Sequence, residues 1–234
     1  MLILAFETSA KAASVAILEN GKLLGESYQN TGLTHSQTLM VMAEDTLRSS
    51  GKTAADVNAV AVAAGPGSFT GVRIGVAAAK GFAWGAELPC YGVSTLEAMA
   101  ESLNVWEGYV CPCMDARRSQ VYNALFLAEG GKLTRVSDDR AIALADLKTE
   151  LEKLEKPVFL VGDGANLCYN TLKEEVPNLV LPAEHRIHQR AVGVAIVAQR
   201  MHDADIAPSG GELAPNYLRL SQAEREKLEK ENKK

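Results

Sequence analysis

The sequence predicts an α/β protein built from two similar lobes, each with the element order βββαβα. Strand-like and helix-like segments alternate along the chain. A strand that ends in an acid, followed by a turn and a second strand, occurs twice, near 2–22 and 109–133. Of the 234 residues, 47% are hydrophobic and 23% are charged, which is typical of a globular protein.

The composition excludes several functional classes. A net charge of −5 gives the chain as a whole no basic footprint, so it is not expected to bind nucleic acid unaided. No apolar run reaches the about 18 residues that a membrane span needs. The opening MLILAF is too short for a secretion signal, so we expect a cytoplasmic protein without membrane contact. The 4 cysteines form no C-x-x-C pair and are expected to be buried thiols.

The first lobe is predicted to span 1–105. The Asn-Gly pair at 20–21 is a strong hairpin signal. Thr34 and Gln37 have the spacing of a helix capping box, and Gly51 can end that helix. In chain order, the predicted elements are strands at 2–7, 14–18 and 22–28, a helix at 36–50, a strand at 57–64, a helix at 71–85, a strand at 88–93 and a helix at 94–103.

The second lobe is predicted to span 106–220, with a charged tail at 221–234. The bend E-N-G-K-L at 19–23 has a counterpart, E-G-G-K-L, at 129–133. This similarity favours a duplication, although two hairpins can also resemble each other by chance. The predicted elements are strands at 109–114, 121–127 and 158–162 and helices at 143–154, 165–174 and 190–205. The last of these helices can pack back on the first lobe.

The most informative segment is GPGSFTGVRIG, which follows a strand of small residues. Gly65 and Gly67 let the backbone approach a ligand, and the N–H groups of a helix start attract anions. Ser68 and Thr70 add hydroxyl donors, and Arg73 adds a positive charge. The segment fits neither a Walker A loop nor the dinucleotide fingerprint. It indicates either a phosphate-binding turn or a tight strand-to-helix turn with a hydroxyl cap.

Two acids close equivalent strands of the two lobes. Glu7, followed by Thr8, ends the first strand, and Asp115 ends its counterpart. Ligands bind where strand ends face a shared cleft, so these carboxylates can orient water or a cation and the Thr8 hydroxyl can contact phosphate. Each acid can equally accept hydrogen bonds from nearby backbone N–H groups.

The helices at 36–50 and 71–85 are apolar on more than one face. One stripe of each helix is expected to cover the sheet. The second stripe indicates either a partner surface or a position inside a larger core.

Five segments resemble the bacterial TsaB (YeaZ) family over nearly the full length: LAFETS, GPGSFTGVRIG, VSTLEAMA, MDAR followed by VY, and PNYLR. The resemblance implies a two-lobed actin-like/Hsp70-like ATPase (ASKHA) fold. It also implies a role beside TsaD, the catalytic paralogue, and TsaE. Together these proteins transfer a threonylcarbamoyl group from its adenylate, made by TsaC or Sua5, to the tRNA adenosine beside the anticodon.

One departure from the catalytic paralogue concerns its metal. The paralogue carries a motif of the type V-N-H-x-x-G-H, whose two histidines hold the ion. Here Thr95 and Met99 stand at those positions, and neither suits a hard or borderline divalent ion. Glu97, between them, is expected to be a solvated charge. We therefore expect no catalytic residue and no metal, and a non-catalytic subunit of the transferase complex.

The resemblance implies contact with TsaD through the helices at 36–50 and 71–85, and a homodimer when TsaD is absent. No cofactor is expected to bind tightly to the chain alone. ATP or ADP is a candidate ligand at the interface with the partner. Contact with tRNA is expected only through the complex. The expected interface residues are Leu39, Met42, Ala43, Thr46, Val72, Val76, Ala79 and Ala83.

Two other functions stay open at this point. A stand-alone ATPase or sugar kinase of the same superfamily would use Glu7, Asp115 and Asp163 in a nucleotide cleft. A peptidase would need a nucleophile beside a base, but Ser68 has no neighbouring histidine in the sequence and His35 follows a capping position.

Overall fold

The computed structural model describes residues 1–219, so the charged tail predicted at 221–234 lies outside the described residues. The first half of the chain alternates strands and helices, with a short 3-10 turn at Ala54–Asp56. Its elements are β1 (Leu2–Glu7), β2 (Ala13–Glu19), β3 (Lys22–Gln29), α1 (His35–Ser49), β4 (Ala59–Gly65), α2 (Phe69–Gly85), β5 (Cys90–Ser94) and α3 (Thr95–Glu101).

The second half continues the alternation, with a short 3-10 turn at Gly210–Glu212. Its elements are β6 (Gly108–Asp115), β7 (Gln120–Asn123), β8 (Phe126–Glu129), β9 (Lys132–Arg135), β10 (Arg140–Ala143), α4 (Leu144–Leu151), β11 (Val158–Val161), α5 (Ala165–Leu172), β12 (Leu179–Val180), α6 (Glu184–Ile187) and α7 (Ala191–Asp203).

The two sheets repeat one topology. The first has the order β3-β2-β1-β4-β5, and the main path of the second is β10-β7-β6-β11-β12. In both sheets an antiparallel hairpin is followed by parallel strands that helices connect. This repeated order confirms the predicted fold class, a two-lobed actin-like (ASKHA) architecture with duplicated lobes.

Successive side chains of β1 point to opposite faces of the first sheet, and helices bury both sets. Leu4 and Phe6 belong to the cluster that contains α1 and α2, whereas Ile3 and Ala5 belong to the cluster that contains α7. The last helix therefore packs on the first sheet and closes its second face. A Cβ at Gly193 of α7 would lie 2.0 Å from the Ala98 carbonyl oxygen of α3, so α7 needs glycine there to lie against α3.

The two similar bends that suggested the duplication do not belong to equivalent hairpins of the two sheets. The E-G-G-K-L bend joins β8 to β9, an additional hairpin that pairs with β6, while the counterpart of β3 is β10. The single strand predicted at 121–127 is interrupted. At the break the buried Asn123 side chain donates to the backbone carbonyls of Pro112 and Ala124, at 2.9 and 3.1 Å, as the chain leaves β7 for β8.

The predicted capping box at the start of α1 does not form. Thr34 makes no side-chain cap, and the Gln37 backbone N–H donates to its carbonyl at 2.9 Å instead. At the other end, Gly51 has φ +67°, the left-handed conformation expected of a glycine that ends a helix. The cysteines are buried and free, as predicted, with the Sγ atoms of Cys111 and Cys113 3.7 Å apart.

An ion-pair network ties α3 to both lobes. Glu97, expected to be a solvated charge, accepts hydrogen bonds from Arg135 at 2.8 Å and from Arg200 at 2.7 Å. Arg200, on α7, also pairs with Glu101, whose side chain is 2% exposed. The prediction for Glu97 was wrong because its partners are distant in sequence. Among residues 1–219, no helix is long and apolar enough to cross a membrane.

We predict that Arg200→Met lowers the free energy of unfolding by about 2–3 kcal/mol, because it leaves the buried Glu101 carboxylate without its cation. Chemical denaturation of the purified chain measures this change. Arg48→Met is the control, since the exposed Arg48–Asp45 pair is expected to contribute at most about 1 kcal/mol. Equal effects of the two substitutions would contradict the assignment.

Candidate functional site

A cleft of about 580 Å³ opens between the lobes. The end of β1 and the GPG turn bound it on one side, and the ends of β6 and β11 bound it on the other. The C-terminal segment at 216–219 forms a further wall. The polar lining residues are Ser9, Lys11, Ser68, Asp115, Arg117, Tyr122, Asp163, Asn166, Glu184, His188, Asn216, Tyr217 and Arg219.

The structure separates the predicted phosphate-contact residues into two groups. The residues that line the cleft are Gly67, Ser68 and Asp115. Those that lie behind or beside it are Glu7, Thr8, Gly65, Thr70 and Arg73.

The glycines of the GPG turn are required by close packing within the chain. A Cβ at Gly65 would lie 2.6 Å from the Asn216 carbonyl oxygen, and one at Gly67 would lie 2.6 Å from the Ser9 carbonyl oxygen. The Asn216 N–H also donates to the Ala64 carbonyl at 2.6 Å. The C-terminal segment therefore fills the space beside Gly65 on the side to which a Cβ would point, and a ligand contact at this glycine stays a prediction.

The start of α2 rests directly on the end of β1. Thr8 is fully buried, and its hydroxyl donates to the Gly71 carbonyl at 2.8 Å, so it is not free to contact phosphate as predicted. A Cβ at Gly75 would lie 2.4 Å from the same hydroxyl oxygen. Ser68 accepts a hydrogen bond from the Gly71 N–H at 3.3 Å, which is the hydroxyl cap of the alternative interpretation. Thr70 is exposed on α2, outside the cleft.

Arg73 holds the C-terminal segment instead of facing the cleft. Its guanidinium lies 3.8 Å from the centre of the Phe69 ring, and its Nε donates to the Tyr217 hydroxyl at 2.7 Å. The Phe69 and Tyr217 rings stack with their centres 4.5 Å apart. The predicted phosphate contact through Arg73 is therefore replaced by an anchor for residues that line the cleft.

Three carboxyl groups from equivalent strand ends interact through their charges. Burial raises the pKa of Glu7 to about 7, and the charge of Asp163 adds to the shift. The Ser9 N–H donates to Glu7 Oε1 at 2.6 Å, and this hydrogen bond acts to lower the Glu7 pKa. Glu7 Oε2 has no hydrogen-bond partner among residues 1–219. Burial also raises the pKa of Asp163, and the charge of Asp115 acts in the same direction. At neutral pH the Glu7 carboxyl is therefore close to half protonated.

Several cleft residues were missed by the sequence reasoning. His188 was not among the predicted site residues, but it lines the cleft and its Nε2 lies 3.1 Å from Glu184 Oε1. Gln189 is fully buried and donates to Asp163 Oδ1 at 3.0 Å. The motif PNYLR supplied only a family resemblance, yet it brings Tyr217 and its neighbours to the cleft. No signal in the sequence indicates this role, because the motif and the GPG turn are far apart along the chain and become neighbours only in the fold.

The positions that hold the metal in the catalytic paralogue lie in the core here. Thr95 is fully buried, and Met99 is 2% exposed and belongs to the apolar cluster between the lobes. Within residues 1–219, no group of three or more His, Cys, Asp or Glu side chains could hold a metal ion.

The eight residues expected to form the partner interface are all buried within the chain. Leu39, Met42 and Val76, for example, pack in the cluster between the helices and the first sheet. These residues were therefore wrongly chosen, because they belong to the stripes that cover the sheet. The buried set consists of Leu39, Met42, Ala43, Thr46, Val72, Val76, Ala79 and Ala83.

The outer faces of α1 and α2 carry a different set of side chains. Met40 is 45% exposed and Val41 is 57% exposed. Ala77 is exposed, and Ala78 and Phe82 are half-buried. An open groove of about 640 Å³, lined by Met40, Leu47 and Phe82 among others, lies where the two helices meet. Any partner of these helices would contact this outer set, which we call the outer face of α1 and α2.

Comparison with known proteins gives consistent results. The family model TsaD, tRNA N6-adenosine threonylcarbamoyltransferase, matches 29–228. The chain is 32% identical to the tRNA threonylcarbamoyladenosine biosynthesis protein TsaB of Bacillus subtilis, over 98% of this chain and 99% of that protein. It is 36% identical to the Escherichia coli protein of the same name, over 70% and 72%. The structure of YeaZ from Pseudomonas aeruginosa superposes with a TM-score of 0.76 at 26% identity, covering 92% of this chain and 100% of that one.

We predict that Glu7→Gln removes a pH dependence of folding. The Glu7 pKa rises from 4.5 to about 7 on folding, so the neutral Glu7 carboxyl stabilises the folded wild type. This stabilisation is present in full below about pH 4.5, and about 3 kcal/mol of it is lost as the pH rises to about 7. Gln stays neutral and keeps the acceptor for the Ser9 N–H. Denaturation of both proteins at pH 5 and pH 8 measures the difference.

Glu44→Gln, at an exposed position on α1, is the control and should follow the wild-type pH profile. If Glu7→Gln also follows it, the Glu7 carboxyl is not held neutral by burial.

Proposed function

Because the chain belongs to the TsaB (YeaZ) family of tRNA threonylcarbamoyladenosine biosynthesis proteins, we propose that it is a non-catalytic subunit that supports the transferase TsaD, together with TsaE. Its part in tRNA threonylcarbamoyladenosine biosynthesis follows from the family. The finer role, as a supporting subunit, depends on the chemistry of the residues described above.

The observation that carries the proposal is the burial of Thr95 and Met99. A hydroxyl and a thioether at these positions are poor ligands for the divalent ions that such sites use. Met99 lies in an apolar cluster with Leu96 and Phe126, and Thr95 is fully buried, so a charged ion at either position would be strongly disfavoured. The chain thus lacks, at this place, the chemistry on which the catalytic paralogue relies.

We assign partner contact to the outer face of α1 and α2. Met40, Val41 and Phe82 present apolar surface there, and small residues such as Ala77 and Ala78 allow another helix to approach closely. Full burial of a side chain of the size of Met40 or Val41 contributes about 1.5–3 kcal/mol. The same face serves TsaD in the complex and a second copy of the chain when TsaD is absent.

The cleft supports a limited role for nucleotide. The C-terminal segment packs against Gly65 and engages Arg73, so the isolated chain offers little free backbone for phosphate at the GPG turn. We therefore place ATP or ADP at the joint surface with the partner, and contact with tRNA in the assembled complex.

A stand-alone ATPase or kinase remains the second candidate, because Asp115 and Asp163 line the cleft and the buried Glu7 behind it interacts with the charge of Asp163. Magnesium-dependent ATP hydrolysis by the purified chain would favour it. For a peptidase, the hydrogen bonds of His35 and His188 go to a backbone carbonyl and to Glu184, so neither histidine is bonded to a serine.

We predict that tRNA modification reconstituted with TsaC, TsaD and TsaE falls by at least about tenfold when this chain is omitted, since the assembly then lacks the subunit that supports TsaD. Incorporation of labelled threonine into tRNA measures the reaction. Undiminished modification without the chain would contradict the proposed function.

We predict that Val41→Asp weakens TsaD binding by about tenfold or more, because Val41 is exposed in the monomer and the proposed complex would bury it. Its melting temperature should match that of the wild type at chain concentrations low enough for both proteins to be monomeric. Calorimetric titration measures the affinity. Val136→Asp, exposed in the second lobe, is the matched control and should bind normally. Val76→Asp is unsuitable, because it places a carboxylate in the core. Full affinity of Val41→Asp would exclude this face as the interface.

A further inference from the structure

The duplicated topology brings two equivalent hairpin turns to the mouth of the cleft. The β1–β2 turn carries Lys11 and the β6–β7 turn carries Arg117, and both side chains line the cleft. Arg118, next to Arg117, is exposed just outside it. We call Lys11, Arg117 and Arg118 the cationic rim.

The β6–β7 turn has an unusual backbone. Arg117, Arg118 and Ser119 have φ of 65°, 57° and 56°, so three consecutive residues with side chains are left-handed. Elsewhere in residues 1–219 left-handed residues other than glycine occur singly, as at Asn20 and Glu87. This conformation disfavours side chains with a Cβ and persists only where surrounding contacts impose it.

Hydrogen bonds on every side hold the turn. Asp115 Oδ1 accepts from the Arg117 N–H at 2.7 Å, and the Ala116 N–H donates to the Gln120 carbonyl at 3.0 Å. The Leu144 N–H donates to the Ser119 carbonyl at 3.1 Å. Arg219, from the C-terminal segment, donates to the Ala116 carbonyl. The backbone that carries the two arginines is thus fixed before any ligand arrives.

The acidic side chains at the cleft mouth have hydrogen-bond partners within the chain, whereas those of the cationic rim have none among the described residues. Within residues 1–219, no side chain of the cationic rim forms a salt bridge or a hydrogen bond. The acids, in contrast, accept hydrogen bonds: Asp163 from Gln189, and Glu184 from Asn166 and His188. The cations at the rim are therefore available to an external anion, although the whole chain is acidic.

We propose that the cationic rim binds phosphates of the RNA backbone. This inference rests on the proposed function, which makes tRNA the substrate of the assembly, and it adds a direct contact by this chain. A backbone strand fits better than a mononucleotide, because Arg118 is exposed outside the cleft while the acids Asp115, Asp163 and Glu184 line the cleft itself and would repel phosphate there. Phosphate contacts of this kind position a nucleic acid without reading its sequence.

The test measures binding of fluorescent tRNA to the complete complex over about 50–200 mM salt. We expect Arg117→Glu/Arg118→Glu to weaken binding by about tenfold and to reduce the slope of log affinity against log salt by about 1.4–1.8, for two lost phosphate contacts. Lys22→Glu/Lys132→Glu makes the same charge change at exposed sites away from the cleft and should bind like wild type. Gel filtration confirms that each complex assembles.

Unchanged tRNA affinity in the Arg117/Arg118 variant overturns the inference, as does an equal loss in the control variant. If the Arg117/Arg118 variant lost ADP binding but kept tRNA binding, the inference would also be overturned, because the rim would then bind a mononucleotide. The proposed function fails by a different result, namely full tRNA modification when the chain is omitted.

A second pair of variants separates binding from folding. Arg117→Gly/Arg118→Gly relieves the left-handed conformation, so we expect its melting temperature to rise by about 2–4 °C while tRNA binding weakens. Arg117→Lys/Arg118→Lys keeps the charges and should retain most of the affinity. Wild-type tRNA binding by the glycine variant would overturn the inference.

Discussion

The packing of α3 between the two sheets is the contact on which the rest of the structure depends. Leu96, Met99 and Leu103 of this helix and its extension lie in one apolar cluster with Val110 and Phe126 of the second lobe. On its other side α3 lies against α7, which in turn closes the first sheet. This arrangement fixes how the lobes face each other and where the cleft opens between them.

The same packing determines the chemistry that the chain can perform. A metal-binding helix must present its ligands to an open site, whereas α3 presents Thr95 and Met99 to a closed apolar core. What the fold leaves open is the outer face of α1 and α2 and the mouth of the cleft. An assembly subunit needs surfaces of this kind more than it needs a reaction centre.

Local patterns in the sequence predicted the elements well, but they could not assign faces or distant partners. The order of strands and helices follows from periodicity and turn residues, whereas the two apolar stripes of α1 and α2 look alike until the sheet covers one of them. Leu39 and Val41 differ in burial only for that reason. The Tyr217 hydroxyl that binds Arg73 lies in PNYLR, far along the chain, so the role of Arg73 as a phosphate ligand could not be corrected from its own neighbourhood.

The central claim, that the chain assists a transferase but does not catalyse, is tested most directly in an assembly whose TsaD carries substitutions of both metal-binding histidines. Transfer of the labelled threonylcarbamoyl group to tRNA is followed over a single turnover with this chain present. The account predicts no product, because no side-chain cluster within residues 1–219 of this polypeptide could hold a substitute for the lost ion. Product formed as fast as with unaltered TsaD, and only when this chain is present, would contradict it.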